Sequence, residues 1–234
     1  MNVLSDVMDI IVISDIHGDV ENLLLYLDKI KEFKFDVVVC PGDFTDVDVP
    51  KGFTQNDVAR LIIKELKTLK KPLLCVPGNV DSHKIINILE QEGVSVHGKG
   101  KVVNDIGFYG FGGAKTPFNT SIEPSEGELK VGLENSWKDV KGSRQLAQVT
   151  HNPPLNSRLD VVQSGMHVGS NVVKIFIESK NPIVAISSHI HEARGIDKLK
   201  NTFLMNSGKF SEGYFGIINI ENNLVNGKVL NLIE

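Results

Sequence analysis

The chain has no basic excess, almost no cysteine and no long apolar run, and each shortage removes a class of function. Lys and Arg number 25 against 29 Asp and Glu, a formal net charge of -4, so no positive field covers the surface and extended nucleic-acid binding is not expected. No apolar stretch approaches the roughly 18 residues that a membrane span needs. The N-terminus lacks a basic n-region, and Asp6 and Asp9 interrupt any apolar segment there. A secretory signal is therefore not expected, and a reducing cytoplasm is the expected compartment. Two cysteines, Cys40 and Cys75, make no disulfide framework. Both end apolar runs and read as buried reduced thiols, with a zinc or redox role as the lesser alternative. The sequon Asn119-Thr120-Ser121 is then a chance match. Gly110-Phe111-Gly112 lacks the remaining glycine and the downstream acid of a dinucleotide fingerprint. Lys115-Thr116 lacks the Walker spacing and reads as turn or cleft wall.

What remains is ordinary globular material: 234 residues, 41% hydrophobic and 23% charged, enough to bury a sizeable core. With no repeat or linker, a single domain over residues 1–234 is the simplest reading. Short apolar runs (Met8 to Ser14, Asp36 to Cys40, Leu73 to Val76) alternate with amphipathic stretches (Asp19 to Phe33, a helix opened by Thr54 with Asp57, Ser82 to Glu92). That alternation predicts parallel strands joined by right-handed crossovers. Phe53 and Val58 are spaced for a hydrophobic staple. Ser125 and Glu128 form a capping box before a helix to Val140, and Ser170 caps another to Ser179. Further strands are expected at Leu146 to Thr150, Ile183 to Ser188, Thr202 to Asn206, Tyr214 to Ile220 and Leu224 to Leu232. In the last pair Glu221-Asn222-Asn223 and Asn226-Gly227 compete for the turn. Two packed sheets with helices outside follow.

Chemistry sits where buried runs end. Asp15 and His17, Asp43, Asn79, His151, and His189 with His191 follow five separate strands. The carboxyl edge of an α/β sheet is where ligands bind. An oxygen and nitrogen set without sulfur suits manganese, iron, zinc, cobalt or nickel. Seven ligands exceed what one four-coordinate ion takes and suit two ions sharing a carboxylate. Gly18, Gly42 and Gly78 allow sharp turns and close backbone approach beside them.

In order, Asp-x-His, Gly-Asp-x-x-Asp, Gly-Asn-x-Asp, Thr-His and His-x-His run from Asp15 to His191. The chain thereby resembles the calcineurin-like metallophosphoesterase superfamily. His167-Val168-Gly169-Ser170 and Ser188 to Gly195 are similar to a small prokaryotic or archaeal branch of it. The resemblance implies a four-layer αββα sandwich of two mixed sheets with a two-metal site at the sheet edge. It implies Asp15, His17 and His191 on one metal, Asn79, His151 and His189 on the other, and Asp43 as the bridge. It further implies a phosphohydrolase that activates water for in-line attack on phosphorus. A small, nucleotide-like phosphorylated substrate is expected, with a homo-oligomer allowed. Asp46 and Asp81 are acceptors that could fix imidazole tautomers, or merely cap their loops.

The sequence departs from the superfamily at Val80, where many members carry a histidine that acts as general acid. Members without it often resemble diesterases, which makes a phosphodiesterase the leading expectation; the alternative is a non-catalytic protein-binding scaffold on the same fold. Among the other histidines, His97 reads as a surface-turn residue and His83 as an exposed helix start. His167 precedes Gly169 and Ser170 at a helix start, where free N–H groups favour phosphate. His167 is thus the candidate acid or a phosphate contact, with Gly169 and Ser170 as further phosphate contacts; a local hydrogen bond is its alternative role. Arg194 could bind phosphate or pair with a carboxylate.

Overall fold

The computed structural model describes residues 7–233, so Asp6 lies outside it. In chain order the elements are Val7–Val12 (β1), Val20–Ile30 (α1), Val37–Cys40 (β2), Gln55–Lys67 (α2), Leu73–Cys75 (β3) and Lys84–Gln91 (α3). Gly100–Val103 (β4), Ile106–Phe111 (β5), Glu126–Val140 (α4), Gln145–Thr150 (β6), Asn171–Lys180 (α5) and Val184–Ser187 (β7) follow. Gly195–Leu199 (β8), Thr202–Asn206 (β9), Tyr214–Glu221 (β10) and Leu224–Asn231 (β11) complete the chain. One sheet has the order β11-β10-β1-β2-β3, the other β4-β5-β6-β7-β9-β8. Both are mixed: β1, β2 and β3 are parallel, as are β5, β6, β7 and β9, while the remaining pairs are antiparallel.

Successive side chains of a strand face opposite ways, so a strand buried on both faces is apolar throughout. In β1, Ile10 and Val12 join Val39, Phe108, Val149 and Ile186 between the sheets. Ile11 and Ile13 point the other way, onto Leu23, Leu27, Ile62 and Ile88 of the three helices on that side. Across the second sheet, Tyr109 and Ala185 pack on Leu133, Val173 and Phe176 of α4 and α5. The result is the four-layer αββα sandwich.

Thr54 with Asp57 and Ser125 with Glu128 form capping boxes. Phe53, spaced to staple Val58, is exposed. The hairpin turns at Asn222-Asn223, whose φ values of 49° and 69° are those a two-residue type I′ turn requires. Asn226-Gly227 is instead paired inside β11. Among the described residues no helix is long and apolar enough to cross a membrane.

Candidate metal centre

The parallel strands end at one edge, and their loops are bound to each other there. Asp15 N donates to Gly42 O (3.1 Å), His17 N to Asp43 O (3.0 Å) and Gly18 N to Phe44 O (2.8 Å), so the β1 loop lies along the β2 loop. Ser188 N donates to His151 O (3.0 Å), which ties the β7 and β6 loops together. The sheets meet at Pro41, whose carbonyl accepts from His151 Nδ1 (2.8 Å) and Ser188 Oγ (3.2 Å). Four of the seven candidate ligands hold left-handed backbone: Asp15 (φ 53°), His17 (52°), Asp43 (52°) and His189 (73°). Each costs on the order of 1 kcal/mol. Strain gathered this way marks a site shaped for something other than stability.

Asp15, His17, Asp43 and His191 each place one ligand atom within 4.8 Å of the others. His191 Nε2 is 3.3 Å from Asp15 Oδ1 and 3.3 Å from His17 Nε2, and His17 Nε2 is 3.8 Å from Asp43 Oδ2. On the other side of Asp43, His151 Nε2 lies 3.3 Å from Oδ2 and 2.9 Å from Asn79 Oδ1. The ring of His189 sits 5.1 Å from that of His151. The orientations are set from behind. A carbonyl only accepts, so Pro41 fixes the proton of a neutral His151 on Nδ1 and turns the Nε2 lone pair into the cluster. Asn79 Nδ2 donates to Thr120 Oγ1 (3.1 Å), which points Oδ1 inward.

These groups fit a cation. Both carboxylate oxygens of the fully buried Asp15 lack a hydrogen-bond partner, an arrangement that is costly for a charge unless a cation compensates it. Lone pairs on His151, Asn79 and Asp43 face each other at short range, which is repulsive without a positive centre between them. In the absence of a metal, protons take that place. Burial opposes ionisation of Asp43, yet the imidazoles of His151 and His17 and the Val80 N–H hold its carboxyl well below the usual range. Burial pushes His151 down, but Asp43 outweighs it and raises the imidazole above its ordinary value. Asp15 likewise raises His191 against burial. Burial and the charge of His151 push His189 down to about 4.

The sequence pattern of calcineurin-like phosphoesterases matches residues 8–193. This chain belongs to that family. As a calcineurin-like phosphoesterase it is a metal-dependent phosphoester hydrolase. A protein of uncharacterised function from Methanocaldococcus jannaschii, MJ1162, is 36% identical over 208 residues, 85% of this chain and 87% of that protein. Among solved structures, a dimetal phosphatase from Danio rerio superposes with a TM-score of 0.59 at 10% identity, covering 96% of this chain and 98% of that one. An archaeal phosphodiesterase gives 0.54 at 18% identity, covering 95% and 100%.

In this phosphoesterase the residues around the cluster divide. Asp46 Oδ2 stands 3.4 Å from His17 Nδ1, beside the imidazole. Asp81 is elsewhere. Its buried carboxylate accepts from Phe44 N, Thr45 N, Thr45 Oγ1 and Gly78 N, so it clamps the β2 and β3 loops rather than orienting a histidine. Burial and the charge of Asp43 push its carboxyl up to about 6. The phosphate contacts expected of Gly169 and Ser170 meet a different environment. Gly169 N donates to Asp160 Oδ2, Ser170 N to Pro153 O and Val172 N to Glu126 Oε2, while Ser170 Oγ caps Val173 N. These four donors are already used within the protein. Arg194 stacks on Tyr214 with its guanidinium carbon 4.0 Å from the ring centroid, and bonds the phenol oxygen rather than a carboxylate. His97 has a structural role in its turn: it stacks on Phe111, accepts from Gly112 N, and burial lowers it to about 4. Ser188, Thr120 and Glu123 were not foreseen. Glu123 accepts from Thr116 Oγ1, Thr120 N and Thr120 Oγ1, and so supports the hydroxyl that orients Asn79.

Proposed function

We propose that this phosphoesterase is a phosphodiesterase with two divalent cations, acting on a small, nucleotide-like substrate. Asp15, His17 and His191 would hold one cation, Asn79, His151 and His189 the other, with Asp43 between. The observation that carries this reading is the buried, donorless carboxylate of Asp15 beside His191 and His17. A scaffold that never held a cation would gain nothing from that cost. Such cations, when bound, lower the pKa of water toward roughly 7 and offset charge building on the phosphoryl oxygens. The chain's own part is to fix lone-pair directions through Pro41 and Thr120, and to exclude water from the Asp43 carboxylate. The test is turnover of bis(4-nitrophenyl) phosphate. Manganese should raise it by at least about a hundredfold over chelator-treated protein. Bound metal without turnover under manganese, iron, zinc, cobalt or nickel would favour the scaffold.

Val80 cannot give a proton to the departing oxygen, so the acid must come from another loop. His167 is our candidate. Its Nδ1 donates to the buried Asp160 carboxylate (2.7 Å), so Nε2 carries a proton to give only in the imidazolium form. The same loop reaches the His191 segment through Gln163 N to Glu192 Oε1 (3.2 Å). His167→Ala should slow alkyl diesters by about a hundredfold and nitrophenyl diesters far less, because a good leaving group departs unprotonated. Equal slowing of both would remove the donor role. Arg194 retains guanidinium donors beyond its bond to Tyr214, and we place it as a phosphate contact near His191.

A further inference from the structure

A cavity of about 810 Å³ opens between α3 and α4, a size typical of sites for small organic ligands. It adjoins the metal cluster through two of its own wall residues. Thr120 Oγ1 accepts from Asn79 Nδ2 (3.1 Å), and Ile122 N donates to Asn79 O (3.0 Å). The cavity therefore abuts Asn79, one of the candidate ligands. The lining is apolar at Ile86, Phe111, Ile122 and Val131, and includes no lysine or arginine. Its carboxylates are Glu123 and Glu128, and its imidazoles are His83 and His97. Burial raises Glu123 slightly, but hydrogen bonds from Thr116 and Thr120 hold it near 2, and the Ser125 cap lowers Glu128. His97 contributes a ring that stacks on Phe111.

We infer that this cavity is a specificity subsite for the organic group esterified to phosphate, and that it takes an uncharged, ring-sized apolar group while rejecting a second anion. The inference rests on the phosphoesterase site lying at Asp43 and Asn79. Apolar walls reward removal of hydrocarbon from water. About 60 Å² so removed suffices for a tenfold gain in affinity. Two carboxylates in a lining without lysine or arginine oppose a further phosphate or carboxylate on the ligand.

Binding of uncleavable phosphonates to the manganese-loaded protein tests this apart from turnover. 1-Naphthylphosphonate should bind at least about tenfold tighter than methylphosphonate, and 4-carboxyphenylphosphonate several-fold weaker than phenylphosphonate. Val131→Trp should erase the naphthyl advantage by filling the cavity and leave methylphosphonate binding unchanged. Val131→Glu, at the same exposed helix position, should do so by charge. Equal affinities across the series in the unaltered protein would overturn the subsite. Turnover of bis(4-nitrophenyl) phosphate with no preference for apolar groups would sink the subsite alone. An apolar preference in binding without turnover would support the subsite and sink the diesterase reading.

Discussion

Asp43→Asn should lower turnover by at least about a thousandfold while leaving the fold intact. The substitution keeps size and shape, and asparagine adopts the left-handed backbone of this position (φ 52°) as readily as aspartate. Its amide oxygen can still accept from Val80 N, the 3.1 Å bond that orients the wild-type side chain. What changes is Oδ2, which faces His151 at 3.3 Å and His17 at 3.8 Å. An amide nitrogen there removes the negative charge shared by both halves of the cluster and presents a donor where a cation needs a lone pair. Metal content measured beside turnover should therefore fall toward one ion or none, and the melting temperature of metal-free protein should fall as well, because Asp43 is paired there with His151. Wild-type metal content and turnover in this variant would end the bridging role.

The parallel strands and the candidate ligands that follow them were legible in the sequence for one reason. A strand buried on both faces is a solid apolar run, and the first polar residue after it marks the edge of the sheet. Asp43 and Asn79 follow that rule; Asp15, His151 and His189 come one step later, after Ser14, Thr150 and Ser188. β8 was missed because it is an edge strand of alternating exposure, Gly-Ile-Asp-Lys-Leu, with little apolar content to mark it. The start of α5 has fewer free donors than its sequence suggests, because their partners are distant: Glu126 stands 46 residues before Val172. For Asp81 the sequence leaves imidazole orientation and loop capping open, because spacing does not give direction; three backbone N–H groups bind it, so it caps its loops. The chain Glu123–Thr120–Asn79 has no local signature, since it exists only once the loop before α4 folds back onto the β3 loop.

Asp81→Ala should be the most destabilising single change near the site, by about 3–5 kcal/mol. The side chain is fully buried. Its two oxygens take Phe44 N (3.3 Å), Thr45 N (2.9 Å), Thr45 Oγ1 (3.1 Å) and Gly78 N (2.9 Å). Alanine would leave three buried backbone donors without an acceptor, each costing about 1–3 kcal/mol. The wild-type carboxylate already carries a burial penalty, seen in its raised pKa, and losing that penalty keeps the total below the simple sum. Asp81→Asn should fall between, because one amide oxygen replaces two acceptors and the amide N–H groups oppose the donors. Denaturation of metal-free protein is the proper measurement, since bound metal would add its own stabilisation. The alanine variant should melt about 6–12 °C lower. Its metal uptake should fall as well, because the two loops it joins have no slack: a Cβ on Gly78 would lie 1.9 Å from Asp43 Oδ1. Any relaxation that relieves the orphaned donors moves Asp43 against His151 and His17. An alanine variant that melts with the wild type would show that water replaces the carboxylate at no cost, and the clamp would then have no energetic role.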